Sequence, residues 1–316
     1  MKHILFSIVV VSCVSLSAMA SKAGDTSSIV TFAIIGDYGS GDTNELHVAN
    51  MVDGWNPEFI ITVGDNSYDD DSGDNLDINV GRYYGKYIYN PKNPKVHSDP
   101  KGKASLQKKN LFFPCMGNHD AKNEASFTNY LAYFDVPKNY TFSWGPCSFY
   151  FFYSGPHGHA SGNGEFDAET KAYINSSLSS KTAGDSFKLV FFHHPPHSSN
   201  MMGNPKINAA FDFDTMNVDA VICGHEHQYE RISHARPGVT PIYVVNGSGG
   251  AELTPDSQIS RRALGPDLVS SFLDNHHFGA VKATLITTSM NKVLHFEYYT
   301  VDGQGSHLVD QYFLEK

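Results

Sequence analysis

Short apolar runs recur along the chain, and most of them end at a polar cluster that contains glycine or histidine. Their short length and their bounding by turn-forming residues predict strands. The predicted strands cover residues 29–35, 59–63, 111–116, 148–153, 188–192, 220–223 and 242–245. Residues 44–52 and 165–178 have helical character instead.

After about residue 280, apolar and polar residues alternate. Residues 281–287 and 293–300 predict an antiparallel pair, residues 302–303 a turn, and residues 308–313 a last strand. Strands that alternate with helices and are then followed by hairpins predict an α/β (α+β) fold. In such a fold two sheets pack face to face, with helices on the outside.

Residues 69–110 differ from the rest of the chain. They are rich in Asp, Asn, Tyr, Lys and Pro, and their periodicity is weak. A long segment of this kind in a compact domain is more often functional than idle. We therefore expect this segment to form a long excursion over the functional site.

The N-terminus has the pattern of a secretory signal peptide at residues 1–20. Met1-Lys2-His3 is a short basic start, residues 4–11 are apolar, and Ala18-Met19-Ala20 is a small-x-small cleavage site. The apolar run is too short to span a bilayer, so we expect no stable membrane insertion. These features predict a secreted or periplasmic protein whose mature part is residues 21–316.

Composition narrows the choice of partners. The 316 residues are 41% hydrophobic, which is enough for a large core, and the formal net charge is −10. An acidic chain has no general attraction for nucleic acid, so we expect none as a specific partner. The three cysteines besides Cys13 cannot all pair, so a disulfide framework is not expected. The oligomeric state is left open.

Five polar clusters follow predicted strands in a fixed order along the chain. They are Asp37-Tyr38-Gly39, Gly64-Asp65-Asn66-Ser67-Tyr68, Gly117-Asn118-His119-Asp120, Val190-Phe191-Phe192-His193 and Gly224-His225-Glu226-His227. Together they offer carboxylate, phenol, amide and imidazole groups. Five clusters of this kind at strand ends predict a site for two metal ions.

Each cluster also has a structural interpretation when it is taken alone. Gly-Asp after a strand is an ordinary turn, a lone tyrosine such as Tyr68 usually serves packing, and Asn118 suits a turn. The run from His193 to His197 could be a surface turn stiffened by proline. His225 and His227 are the most specific pair, because residues i and i+2 of an extended segment share a face and could reach two neighbouring metals.

The combination of Asp-x-Gly, Gly-Asp-x-x-Tyr, Gly-Asn-His-Asp, Val-x-x-His and Gly-His-x-His resembles the purple acid phosphatases, within the calcineurin-like metallophosphoesterases. Tyr68 is the discriminating residue, since relatives outside the purple group generally lack it. The resemblance covers residues 31 to about 250 and is to the short, single-domain type. It implies a four-layer β-sandwich of two mixed sheets flanked by α-helices.

The resemblance also implies the metal ligands. Fe(III) would be held by Asp37, Asp65, Tyr68 and His227, with Asp65 bridging to a second metal. That second metal, which is Fe(II), Zn(II) or Mn(II), would be held by Asn118, His193 and His225. His119 would face the substrate.

The chain departs from the family pattern at the proton donor. In the family another histidine follows the Val-x-x-His histidine and acts on the substrate, but the corresponding residues here are Met202 and Gly203. His197 or His194 could take that role, and His197 is favoured.

These features predict a secreted acid phosphatase that hydrolyses small phosphate monoesters by in-line attack of a metal-bound hydroxide. One alternative is a phosphodiesterase or nucleotide phosphohydrolase of the same superfamily, because the motifs say little about what lies beyond the phosphate. Another is di-iron redox activity that generates reactive oxygen species. A third is a secreted binding protein with a disabled site.

Overall fold

The computed structural model describes residues 27–68, 75–93, 95–96, 99–155, 164–179, 186–200, 205–260 and 264–316. The predicted signal peptide, together with Met202 and Gly203, lies outside these residues. Within the described parts of the chain, every helix is too short or too polar to cross a bilayer.

The described residues form thirteen strands. In chain order they are β1 Ser28–Ile35, β2 Phe59–Thr62, β3 Phe112–Pro114, β4 Tyr140–Trp144, β5 Cys147–Phe151, β6 Phe187–Phe191, β7 Ala220–Cys223, β8 Tyr229–His234, β9 Ile242–Asn246, β10 Leu268–Asp274, β11 Phe278–Thr287, β12 Lys292–Asp302 and β13 Gly305–Glu315. The helices are α1 Thr43–Gly54, α2 Arg82–Tyr84, α3 Lys103–Gln107, α4 Glu124–Phe134, α5 Ala168–Leu178 and α6 Pro205–Ala210.

These strands make two mixed sheets. The six-stranded sheet has the order β13-β12-β11-β1-β2-β3, in which β1, β2 and β3 are parallel and β11 to β13 form an antiparallel meander. The seven-stranded sheet has the order β10-β8-β9-β7-β6-β5-β4, with β5, β6, β7 and β9 parallel. The predicted fold class, two mixed sheets flanked by helices, is confirmed.

An aromatic core lies between the sheets. Phe32 of β1 and Phe59 of β2 make edge-to-face contacts with Phe149 of β5, at ring-centroid distances of 5.5 and 5.7 Å. The seven-stranded sheet is buried on its other face too, where Val190 and Ile174 of α5 belong to a second apolar cluster. The seven-stranded sheet is therefore a rigid support for the loops that follow its strands.

The described part of segment 69–110 has more secondary structure than the weak periodicity indicates. It contains α2 and α3 and places Val80, Tyr84 and Tyr87 in the main core. Asn79 reaches the loops that carry the candidate ligands, because its Nδ2 donates to the carbonyl of Gly39 at 3.1 Å. This described part thus packs into the domain and also supports the site.

Candidate metal centre

Five of the candidate ligands follow parallel strands. Asp37 comes after β1, Asp65 after β2, Asn118 after β3, His193 after β6 and His225 after β7. The carboxyl ends of parallel strands meet at one edge of a sheet, where α/β proteins bind ligands. The edges of the two sheets also meet each other here, since the backbone N–H of His225 donates to both Asp37 carboxylate oxygens at 3.0 and 2.9 Å.

Three of these residues have left-handed backbone conformations. The φ angles are 53° at Asp37, 51° at Asp65 and 71° at His225. Such values are uncommon for residues other than glycine, and they concentrate at functional sites where the surrounding structure fixes them. The loops are therefore shaped to aim these side chains.

The first donor group is a set of three side chains whose atoms could bind one metal ion, namely Asp37, Tyr68 and His227. The Tyr68 hydroxyl oxygen lies 3.2 Å from Asp37 Oδ1 and 3.1 Å from His227 Nε2. His227 Nε2 is 3.5 Å from the same Asp37 oxygen. Atoms that share a metal at about 2.1 Å are separated by distances of this order, so one ion could be held by all three.

Asn118, His193 and His225 form the second donor group. Asn118 Oδ1 lies 3.0 Å from His193 Nε2 and 3.0 Å from His225 Nδ1. Asp65 adjoins this group, because its Oδ1 is 3.3 Å from His193 Nε2. Donor atoms of Asp37, Asp65 and His193 all lie within 4.8 Å of one another, which connects the two groups.

The protonation state of His193 tests whether a cation fits. Its Nδ1 lies 2.9 Å from the backbone carbonyl of Val63, which can only accept, so Nδ1 carries a hydrogen. In the neutral ring Nε2 then holds a lone pair and faces two acceptors, Asn118 Oδ1 and Asp65 Oδ1. Three acceptors turned towards one point are stable together only around a positive charge, so the group fits a metal ion.

His227 is prepared in the same way. Its Nδ1 lies 2.6 Å from the backbone carbonyl of Glu252. The lone pair of the neutral ring is then on Nε2, which faces Tyr68 and Asp37 and is available to a metal ion. Metal-binding histidines commonly donate a hydrogen bond from the N–H of their second ring nitrogen to a carbonyl in this manner, which fixes the tautomer and the ring orientation.

The two buried carboxylates respond differently to their surroundings. Burial and the neighbouring Asp65 raise the pKa of Asp37 well above its usual value. Burial also raises the pKa of Asp65, but the charge and hydrogen bond of His193 outweigh it and lower the pKa overall. Burial lowers the pKa of His193, but Asp65 outweighs it and raises that pKa to about 9. The carboxylate of Asp65 therefore favours positive charge at this position of the site.

The three histidines with predicted catalytic roles lie in different places. His119 is half-buried beside the first donor group, with its ring centroid 4.6 Å from that of Tyr68. His194 is buried beside the second group, with its ring centroid 4.4 Å from that of His225. The ring of His197 instead packs against Tyr243, at 4.6 Å.

The architecture agrees with comparisons to known proteins. The sequence profile of the calcineurin-like phosphoesterases matches residues 25–229. The chain belongs to this family. Its members act on phosphorylated substrates, and their fold binds two metal ions.

Solved structures show the same fold at low sequence identity. GAP50, described as the anchor in the inner membrane complex of Plasmodium, aligns at a TM-score of 0.61 with 17% identity over 90% of this chain and 88% of its own. The purple acid phosphatase PPD1 from yellow lupin (Lupinus luteus) seeds aligns at 0.62 with 17% identity, over 91% of this chain but only 54% of its own. A comparison with curated proteins found no match.

Some contacts that support the site were not predicted from the sequence: Ser154 was not named there, and Asn66 and Asp120 were named within the clusters without a role. Ser154 accepts hydrogen bonds from the backbone N–H groups of His193 and His194, at 3.2 and 3.0 Å. Asp120 and Asn66 join two of the ligand-bearing loops. Their partners are 39 to 54 residues away in the chain, and no local pattern signals such a pairing.

Proposed function

We propose that this calcineurin-like phosphoesterase is a dinuclear-metal acid phosphatase of the purple type that hydrolyses phosphate monoesters. The contact of the Tyr68 hydroxyl with Asp37 and His227 is the main support, because a phenolate is a hard, anionic ligand suited to Fe(III). Asp37, Tyr68 and His227 would hold Fe(III). Asn118, His193 and His225 would hold Fe(II), Zn(II) or Mn(II), and Asp65 would be shared.

The two metals, when bound, would supply Lewis-acid stabilisation of the phosphoryl charge and activation of water. The protein groups would supply orientation. His119 is half-buried next to Tyr68, so it is placed to donate a hydrogen bond to a phosphoryl oxygen. The buried Asp37, Asp65 and His193 would keep the ligand geometry fixed while a substrate binds and leaves.

We assign the leaving-group role to His194 rather than to His197. Ser154 Oγ already accepts two backbone N–H groups, so its own hydrogen is free for His194 Nδ1, which lies 2.9 Å away. That bond places the ring hydrogen of neutral His194 on Nε2, a buried atom that has no hydrogen-bond partner among the described residues. His197 has no comparable contact with the donor groups, since its ring packs on Tyr243.

Leaving-group dependence tests this assignment. His194→Gln should slow the hydrolysis of an alkyl phosphate much more than that of a nitrophenyl phosphate, because only the alkoxide needs a proton as it leaves. His197→Gln is the matched control and should affect both substrates equally. If His197→Gln, and not His194→Gln, slows the alkyl phosphate more than the nitrophenyl phosphate, the leaving-group role belongs to His197.

Metal-dependent turnover tests the proposed function as a whole. Asp65→Ala and Asn118→Ala should each abolish the hydrolysis of an aryl phosphate by metal-loaded protein, because each removes a ligand. Near-normal activity in either variant would reject the assignment. Faster turnover of a bis-aryl than of a mono-aryl phosphate would favour the phosphodiesterase alternative instead.

A non-catalytic role is the second candidate, because GAP50 is described as an anchor and aligns over most of both chains. The full set of seven candidate ligands argues against a disabled site. A mature protein that binds two metals but hydrolyses neither mono- nor diesters would favour the anchor role.

We also propose that the chain is exported as a single domain over residues 21–316, after cleavage of residues 1–20. N-terminal sequencing of protein recovered outside the cytoplasm should begin at Ser21. An N-terminus that retains Met1 would contradict the proposal.

A further inference from the structure

Asp120 is a buried carboxylate with a hydrogen-bonding role between two loops. Its Oδ1 accepts from the backbone N–H of Asn66 at 2.9 Å. Its Oδ2 accepts from Asn66 Nδ2 and from the backbone N–H of Gly117, both at 2.8 Å. One side chain therefore joins the loop after β2 to the loop after β3.

Asn66 extends this connection to a third loop. Its Oδ1 accepts from the hydroxyls of Tyr38 and Thr62, both at 2.7 Å, and its Nδ2 also donates to the carbonyl of Cys115 at 2.8 Å. All hydrogen-bonding positions of the amide are used. The carbonyl of Cys115 can only accept, so the orientation of the Asn66 amide is fixed.

This network adjoins the candidate ligands. Asn66 follows Asp65, and Asn118 lies between Gly117 and Asp120 in the chain. The backbone N–H of His119 also donates to Asp65 Oδ1 at 2.9 Å. A shift of the Asp120 carboxylate would therefore move Asp65 and Asn118 relative to each other.

We infer that Asp120 and Asn66 are a positioning pair that sets the separation of Asp65 and Asn118 and thereby the affinity of the second metal site. The inference rests on the metal centre proposed above. Neither residue would bind metal or substrate itself. Groups that orient metal ligands in this way commonly contribute about ten- to a hundredfold to metal affinity.

Asp120→Asn tests the pair with a minimal change of shape. The amide oxygen can satisfy the two donors on the Oδ2 side, but its NH₂ group then faces the N–H of Asn66, next to Asp65. Metal-free folded protein is titrated with Zn(II) in competition with a chelator. The dissociation constant of Asp120→Asn should be about ten to a hundred times larger than that of the unaltered protein.

Asp310→Asn is the matched control. Asp310 is likewise a buried carboxylate with three donors, one from Tyr229 and two from Arg231, but it lies on β13. Both variants should lower the melting temperature of the protein. Only Asp120→Asn should weaken Zn(II) binding, which separates positioning from a general loss of stability.

Zn(II) affinity in folded Asp120→Asn equal to that of the unaltered protein would overturn the inference and leave the phosphatase proposal standing. If the unaltered protein binds two metals tightly but has no phosphatase activity, the phosphatase proposal is rejected and the inference about Asp120 and Asn66 still stands. If Asp120→Asn does not fold, Tyr38→Phe decides, because it removes one donor to Asn66 and leaves Thr62 in place. A severalfold weaker Zn(II) affinity supports the inference, and unchanged affinity overturns it.

Discussion

At the scale of single residues, the site depends on how closely its loops approach each other. Gly117 has no side chain, and a Cβ at this position would collide with the backbone nitrogen and the carboxylate of Asp65. The collision would displace the residue that is shared between the two proposed metal sites. A single methyl group at Gly117 therefore has a large expected effect, although Gly117 binds nothing itself.

Gly117→Ala should reduce phosphatase turnover by about a hundredfold, since misplacement of a reacting group by about 1 Å has effects of this size. Gly54→Ala is the control, because a Cβ there meets nothing within 4 Å. It should leave turnover unchanged. Equal activity in the two variants, measured with a nitrophenyl phosphate, would contradict the role given to loop contact.

At the scale of secondary structure, side-chain caps stabilise the first turns of helices. Asp167 caps α5 by accepting from the backbone N–H of Thr170 at 2.7 Å, and it pairs with Lys138 at 2.7 Å. Burial raises the pKa of Asp167, but hydrogen bonds from Lys138 and Thr170 outweigh it and lower the pKa overall. The cap therefore stabilises the fold above the usual pKa of 3.8 and loses this effect as the pH falls below it.

Asp167→Ala should lower the free energy of unfolding near neutral pH by about 1 kcal/mol, the usual value for a lost cap. The difference from the unaltered protein should shrink when urea unfolding is repeated near about pH 3. A difference that stays constant or grows at the lower pH would show that the ionised carboxylate is not responsible.

The same scale shows what the sequence could and could not predict. Strands buried on both faces, such as β2 and β7, are continuous apolar runs and were predicted closely. β4, β8 and β10 were not predicted. β8 and β10 mix charged, hydroxyl and apolar residues, and they become strands through their neighbours, since β8 pairs with both β9 and β10. The candidate ligands could be named from the sequence because each follows a strand locally, whereas the contacts of Ser154 and Asp120 depend on distant partners.

At the scale of the whole molecule, the two sheets are joined by a buried ion pair as well as by the core. Arg231 on β8 makes two hydrogen bonds to Asp310 on β13, at 2.7 and 2.8 Å, and Tyr229 donates to the same carboxylate at 2.9 Å. Asp310→Ala would leave Arg231 half-buried without its partner. Breaking a buried pair in this way typically costs about 3 to 5 kcal/mol.

Urea unfolding of Asp310→Ala should therefore show a loss of about 3 kcal/mol in the free energy of unfolding. Lys92→Ala is the control, because Lys92 pairs with Asp135 at an exposed position, where ion pairs contribute little. A loss in Asp310→Ala no larger than that in Lys92→Ala would contradict the proposed link between the sheets.

The metal content of the purified mature protein, recorded with its visible spectrum, tests the central claim most directly. We expect two metal ions per chain, at least one of them iron, and a visible band from Tyr68 bound to Fe(III). Tyr68→Phe should lose that band. A colourless protein that takes up fewer than one metal ion per chain after loading would contradict the dinuclear centre and the phosphatase function built on it.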